Sequence, residues 1–344
     1  MEIIAELGNT HDGSIGQAKC MIDAAAEAGA TSVKVQTHIF HAESTPNAPA
    51  PPYFTDESRK SYFERTAFSM DDYHRLIEHA HKNDVKFFSA AFSKAAVDIL
   101  ADLGLPYIKI PSGEVTNLPL IAYAATSNIP LIISSGMSDW RELDRAVAEV
   151  EKQGGLVECI MQCTSMYPTP SSQVGVNVVK EIIDRYGVAA GLSDHTLSSS
   201  AAVCSVYTGA SFIEKHFTLS RKMYGSDAFN SLEPDEFASF CDLCREAMVM
   251  RNSPVDKSAM LPKIEEMKLI FEKSLVADCD IKAGTPLTDQ NIAEKKPGGG
   301  MSPGLKRRIV GETLKVDVLK DCQIKADMFR DDLAVELENY DQSR

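Results

Sequence analysis

Eight short runs of β-branched and aliphatic residues recur between Ile3 and His216, and a helix-length segment follows each of them. The runs are IIAEL (3–7), SVKVQ (32–36), KFFSA (86–90), YIKI (107–110), PLIISS (130–135), LVECIMQ (156–162), VAAGLS (188–193) and SFIEKH (211–216). A strand separated from the next by a helix cannot pair with it through a tight hairpin; it pairs in parallel, through a crossover. Eight such units predict an α/β fold closed into a (β/α)8 TIM barrel. The helix ends are also written in the chain. Ser14 and Gln17 make a capping-box pair ahead of Ala18, Met21, Ile22 and Ala25, and Gly29 stops that helix. Asp139 and Glu142 repeat the device before Leu143, Val147 and Val150. A further helix begins near Pro234. Its Phe237, Phe240, Cys241, Cys244 and Met248 follow helical spacing, so the lone CxxC reads as one face of a core helix rather than a metal or redox motif.

A barrel of this kind needs about 250 residues, and the chain has 344. The pattern predicts a barrel domain over 1–250, a linker with a short helix over 251–273, a second domain over 274–330 and an acidic, frayed tail over 331–344. The second domain has a different texture. SLVADCDIKAGTPL, KKPGGGMSPG and LKDCQIKADM supply short strands and glycine turns, a small β-rich module that buries little surface by itself and needs a neighbour. Within the barrel one connection is too long: residues 38–70, rich in proline, separate the second strand from its helix. Such an insertion sits at the C-terminal mouth, where long loops carry function, unless the proline cluster is an inert surface excursion.

The formal net charge of −14 argues against general nucleic-acid binding and against docking on anionic lipid. Affinity for an anion must therefore come from a local cluster of cations. No stretch has the roughly 18 consecutive apolar residues of a membrane span, and MEIIAEL enters a strand directly without the regions of a signal peptide. With eight scattered cysteines as well, the expected location is cytoplasmic.

In a (β/α)8 barrel the reactive groups stand at the C-terminal ends of the strands. Those ends supply Glu6, Lys34 with Gln36, Lys109 followed by Ser112-Gly113-Glu114, Ser134-Ser135-Gly136, Gln162 with Thr164, Ser193-Asp194-His195, and Lys215-His216. Inward lysines are unfavourable unless paired or facing a ligand. Together with serine hydroxyls and glycine turns they suit a small, multiply charged anion. The alternative turns some of them out to the helix layer, or pairs them structurally with Glu6, Glu114 or Glu214. His195 and His216 end consecutive strands. A hydrogen-bonded core histidine is the ordinary use of each, but two of them so placed can ligate a divalent metal and leave positions open for a substrate oxygen. Asp194 either orients a histidine or caps the following helix, the cap being preferred. Glu114 is the carboxylate best placed for proton transfer. Tyr167 either hydrogen-bonds a polyol or packs its loop.

In order along the chain, IAELGNTHDG, VKVQTHI, YIKIPSGEVTNLPLI, IISSGM, QCTSMYPTP, GLSDHT and IEKHFTL, then GSDAFNSLEP and KKPGGG, resemble the sialic acid synthases, the nonulosonic-acid synthases related to N-acetylneuraminate synthase. The resemblance covers nearly the whole chain. It implies a TIM barrel followed by a small antifreeze-like (SAF) domain, in a domain-swapped homodimer where the small domain of one chain caps the barrel of the other. It implies condensation of phosphoenolpyruvate with the open-chain aldehyde of an N-acetylmannosamine-type sugar, giving a nonulosonic acid and phosphate. N-acetylneuraminate is the first expected product; the alternative is N,N'-diacetyllegionaminate, made from 2,4-diacetamido-2,4,6-trideoxymannose. By the same resemblance Lys34, Lys109, Ser112, Ser134 and Ser193 hold phosphoenolpyruvate, and Glu6, Gln36, Tyr167, Asp227 and Lys296 meet the sugar. Glu114 handles protons, and His195 and His216 bind Mn²⁺, with Mg²⁺ or Co²⁺ as substitutes. The chain departs from the family where Ser165 stands for an asparagine, Ala90 for a threonine, Thr10 for the asparagine of NHxG, and Lys296 for an arginine that reaches the sugar's acetamido group. Two other readings compete: a Schiff-base pyruvate aldolase using Lys109 or Lys215, and an inactive barrel carrying a binding module.

Overall fold

Each of the eight runs is a strand, and neighbours pair in parallel all the way round. In the computed structural model, which describes residues 1–49 and 57–342, they are β1 (Glu2–Gly8), β2 (Ser32–Thr37), β3 (Lys86–Ala91), β4 (Ile108–Ile110), β5 (Leu131–Ser134), β6 (Val157–Cys163), β7 (Ala189–Asp194) and β8 (Phe212–His216). β8 returns to β1 and closes the barrel. Because successive side chains point to opposite faces of a strand, each run is divided between two cores. Ile4, Phe88, Ile132, Cys159, Met161 and Phe212 fill the lumen. Ile3, Ala5, Leu7, Val33, Val35 and Ile213 face outward and meet the helices. The strand runs are apolar on both faces for this reason.

The surrounding helices start where their caps predict. Ser14 accepts from the Gln17 amide at the head of Ile15–Glu27, and Asp139 and Glu142 form a complete capping box for Trp140–Lys152. The last barrel helix, Pro234–Asn252, buries Phe237, Phe240, Cys241, Cys244 and Ala247, so the CxxC is core. The long connection after β2 carries the short helices Phe40–Glu43 and Arg59–Thr66; residues 50–56 of its proline-rich stretch lie outside the described residues. Its second half is stapled down by Arg65, which pairs with Asp12 at 2.5 Å and with Glu57, and stacks on Tyr62 and Tyr224.

The chain divides into two units, Met1–Ser253 and Pro254–Arg344. The second has its own hydrophobic core, which includes Leu275, Leu287, Leu305, Leu314 and Phe329. Its regular sheet is a single antiparallel pair, β9 (Ser274–Ala277) with β10 (Ile292–Lys295), supplemented by isolated bridges such as Ile281 to Val318. The acidic tail is not frayed as its composition suggested. Asp331–Gln342 is a helix, and Leu333 and Leu337, four residues apart on one face, are buried in this second core. Among the described residues no helix is long and apolar enough to cross a membrane.

Candidate active site

Strand alternation decides which chemical groups share the mouth of the barrel. Lumen-facing positions continue upward from the apolar layer through Lys34 and Gln36 on β2, Lys109 on β4, Ser134 on β5, Ser193 on β7, and Glu214 and His216 on β8. The register sets Glu6 beside both Lys34 and His216, and Ser193 beside Glu214. They line a cavity of about 360 Å³ together with Ser112, Glu114, Tyr167, His195 and Asp227. The barrel residues expected to hold phosphoenolpyruvate, meet the sugar, handle protons or bind metal are all in this one cavity. Lys296 belongs to the second unit, just past β10, and is not among the lining residues.

The cations are not bare. Lys34 Nζ lies 2.6 Å from a Glu6 oxygen and 3.7 Å from Glu214, and Lys109 Nζ lies 2.6 Å from Glu214. The two readings of the inward lysines therefore merge: they are ion-paired, and they line the cavity. Both carboxylates are buried, yet they behave differently. Burial pushes Glu214 up, but Lys109 and Lys34 outweigh it and hold the carboxyl down to about 2. Burial dominates at Glu6, which Lys34 opposes and Glu214 reinforces, so its affinity for a proton is raised. Gln36 donates to Glu6 at 2.7 Å, and Ser193 donates to Glu214 at 3.1 Å.

The two histidines stand side by side, with ring centroids 5.5 Å apart. His195 Nδ1 lies 3.0 Å from the Thr164 carbonyl oxygen, which fixes the proton on Nδ1 in the neutral ring and leaves Nε2 with a lone pair. His216 Nδ1 is buried and has no hydrogen-bond partner among the described residues. Burial, the main influence on this ring, lowers its pKa to about 4, so it is neutral at physiological pH. At His195 burial also favours the neutral ring, but Cys163 and the Thr164 carbonyl outweigh it and raise its proton affinity. In their neutral forms both rings offer lone pairs that fit a divalent cation. Among the described residues no group of three His, Cys, Asp or Glu side chains is arranged to hold one, so a metal here would have two protein ligands and open positions.

Around these groups the backbone makes close approaches. Gly136 N donates to Ser112 Oγ at 3.1 Å, and a Cβ on Gly136 would lie 2.6 Å from Ser165 Oγ. A hydroxyl-lined cradle is thus open only because residue 136 is glycine. Gly8, at φ +52°, lies against the Asp227 carboxylate, which a Cβ there would meet at 2.3 Å. Glu114 is partly buried, which raises its proton affinity against the hydrogen bond it accepts from Asn117 at 2.8 Å. Tyr167 stacks near His195, with ring centroids 4.2 Å apart.

Six strand-end candidates are not among the lining residues: Ser135, Gly136, Gln162, Thr164, Asp194 and Lys215. Lys215 points into the helix layer, where its ammonium meets Asp194 at 2.8 Å and the Thr196 and Ser198 carbonyl oxygens. Asp194 neither orients a histidine nor caps a helix: it accepts from Thr196 N at 2.8 Å and pairs with Lys215. Both follow from β7 and β8 alternation, which turns positions 194 and 215 outward. Gln162 donates to the Val174 carbonyl and buttresses a loop. In the other direction, Glu214 was read only as a structural partner, and His38, Arg59, Phe63, Phe92 and Met137 were not singled out, yet all line the cavity. The β8 alternation, with His216 inward, was the available signal for Glu214.

Comparison with known proteins agrees with this geometry. The model of the NeuB family matches residues 21–255, and that of the SAF domain matches residues 272–330. The N,N'-diacetyllegionaminic acid synthase of Campylobacter jejuni is 36% identical over 308 residues, covering 87% of this chain and 91% of that protein. The pseudaminic acid synthase of Helicobacter pylori is 29% identical, covering 95% of this chain and 97% of that protein. The crystal structure of an N-acetylneuraminic acid synthetase from Leptospira borgpetersenii superposes with a TM-score of 0.67 at 26% identity, covering 77% of this chain and 90% of that one. The chain belongs to the NeuB family, the family of the nonulosonic acid synthases, and carries a SAF domain after its barrel.

Proposed function

We propose that this enzyme condenses phosphoenolpyruvate with the open-chain aldehyde of an N-acylated mannosamine-type sugar, giving a nonulosonic acid and phosphate. The observation that carries the reading is the meeting, in one cavity, of two buried lysines, a ring of serine hydroxyls, a half-buried carboxyl with raised proton affinity and two adjacent imidazoles. Lys34 and Lys109 are pre-positioned by Glu6 and Glu214, and share their charge with an incoming phosphate and carboxylate. Ser112, Ser134 and Ser193 add hydroxyl donors. A bond forms between C3 of phosphoenolpyruvate and the aldehyde carbon, and Glu114 gives a proton to the aldehyde oxygen. Water adds at C2 and returns a proton to Glu114; the C2–O bond to phosphate then breaks as the new hydroxyl becomes the C2 carbonyl and gives its proton to the departing phosphate. Glu6, Gln36, Tyr167 and Asp227 orient the sugar chain. His195 and His216 are the residues that would hold a divalent ion, Mn²⁺ first, which when bound supplies Lewis-acid polarisation of the aldehyde.

Phosphate release from phosphoenolpyruvate plus acceptor tests the reading. Activity should vanish after dialysis against EDTA and return with Mn²⁺. Undiminished turnover by the metal-free protein defeats the role given to the two histidines, and a borohydride-trapped pyruvate adduct on Lys109 would favour the aldolase instead.

For the acceptor, the apolar side chains Phe63, Phe92 and Met137 at the mouth favour 2,4-diacetamido-2,4,6-trideoxymannose, with its extra methyl groups, over N-acetylmannosamine. The name of the Campylobacter relative supports the same sugar. Burying one or two more methyls is worth roughly tenfold or more in kcat/KM. A preference for N-acetylmannosamine would restore neuraminate as the product. The reading includes a domain-swapped homodimer in which Lys296 of one chain serves its partner's barrel. Co-expressed His216→Ala and Lys296→Ala chains should then recover about a quarter of the native activity, since half the dimers are mixed and each has one intact site.

A further inference from the structure

His38, which no part of the mechanism above uses, is unusually constrained for a residue on a long insertion. Its ring is sandwiched between Phe63 and Phe92, with centroids 3.9 and 4.0 Å away. Nδ1 lies 2.9 Å from a Glu43 carboxylate oxygen, and Nε2 lies 3.0 Å from the Gln36 side-chain oxygen. A ring lone pair cannot face a carboxylate oxygen at that distance, so a proton lies between Glu43 and His38. The Gln36 amide is fixed in turn. Its oxygen lies toward His38 Nε2, so its NH₂ is turned to Glu6, 2.7 Å away, and Glu6 holds Lys34 at 2.6 Å. Glu43 is itself tied back to the insertion, where its second oxygen accepts from Ile39 N at 3.3 Å.

The result is an unbroken hydrogen-bonded chain from the insertion to the charged centre of the cavity, Glu43–His38–Gln36–Glu6–Lys34. The Gln36 amide is held at both ends: Glu6, paired with Lys34, accepts from its NH₂, and His38 holds its oxygen, so removing His38 releases one end. Phe63 and Phe92, stacked on the imidazole, oppose its rotation out of their common plane.

We propose that His38 is a positioning residue of this active site, acting through Gln36 to fix the hydrogen-bonding face that the β2 side of the cavity offers the sugar acceptor. The inference rests on the synthase reading. It places the insertion's function in acceptor recognition before the holding of phosphoenolpyruvate, because His38 touches Gln36 directly and Glu6 comes next, both on the sugar side. Lys34 is reached only at the far end through its ion pair with Glu6, and Lys109 and the serine hydroxyls lie outside the chain.

The test uses four variants, His38→Gln, His38→Asn, His38→Phe and Gln36→Ala, and the double variant His38→Asn/Gln36→Ala, with KM measured separately for each substrate. Glutamine keeps a donor near the Nε2 position and asparagine does not. His38→Asn should raise KM for the sugar about tenfold while KM for phosphoenolpyruvate stays within twofold, and His38→Gln should recover most of that loss. In the Gln36→Ala background, His38→Asn should add less than twofold, because its target is gone. His38→Phe keeps the aromatic stack but leaves the buried Glu43 carboxylate without its ring partner, so it should melt somewhat lower than the native protein while sharing the KM defect. Equal factors in both backgrounds, a phosphoenolpyruvate KM that rises instead, or a fully active His38→Phe each overturn the proposal. If the unmodified enzyme releases no phosphate with any acceptor, the synthase reading itself is rejected, and the role of His38 falls with it.

Discussion

Two buried lysine–carboxylate pairs sit one strand position apart and serve opposite ends. Glu214 and Lys215 are consecutive on β8, and their register partners on β7 are Ser193 and Asp194. Glu214 faces the lumen and pairs with Lys109 at 2.6 Å; Lys215 faces the helices and pairs with Asp194 at 2.8 Å. The outward pair is sealed, with both side chains fully buried, and Lys215 spends its donors on Asp194, Thr196 and Ser198 within the turn that follows His195. The inward pair is buried too, but it borders a cavity and hydroxyls that a ligand can share. Similar chemistry is structural on one face and available for binding on the other. Burial of a charge therefore says little about its purpose until one knows which space its neighbours leave open.

The comparison can be broken at several strengths. The largest effect is expected on the lumen face: His216→Ala should lower kcat by about a thousandfold or more, the equivalent of several kcal/mol of lost Lewis-acid stabilisation, with little change in melting temperature. A variant within tenfold of the native rate would remove His216 from the chemistry. Lys109→Met should lower kcat/KM for phosphoenolpyruvate by about a hundredfold, the loss of one strong charge-assisted contact, while Lys34 remains to screen Glu214. Lys215→Met should do the reverse. Stranding Asp194 without its partner costs about 3–5 kcal/mol of stability, read by urea titration, while the folded fraction keeps its kcat within tenfold. If Lys215→Met proved kinetically worse than Lys109→Met, the division between faces would be wrong.

The mildest expectation concerns acid. Glu214 is held to about 2 against an ordinary value of 4.5, so its ion pair contributes fully above pH 4.5 and is lost as pH falls toward 2. The native protein should therefore lose stability across that window, and Glu214→Gln should show a flatter profile there. Parallel profiles would mean that Glu214 is not held low by its lysines.

Strand identity, helix caps and the cysteine-bearing core helix were legible because each depends on residues close in sequence. Ser14, Asp139 and the spacing of Phe237 to Cys244 act locally, and local patterns survive folding. The site was legible as a set of strand ends, and the cavity gathers those residues. What the sequence left open was direction and pairing. Lys215 and Lys109 look alike in the chain, and Asp194 resembles a helix cap. The tail helix was misread because two leucines are a weak signal among acidic neighbours, until the second core supplies a surface to bury them. His38 and Phe63 lie in a stretch without periodicity, where nothing local announces a role.

The sequence by itself determined a parallel barrel with reactive groups at the strand ends, because period-two runs, helical periods and caps are short-range properties of the chain. Only the tertiary structure decided which lysine faces the cavity, which carboxyl has its proton affinity raised and which lowered, and which residues of the long insertion join the lining. Those outcomes depend on barrel closure, which brings residues such as Glu6 and Glu214 together across more than two hundred positions, and on the low-dielectric burial that closure creates.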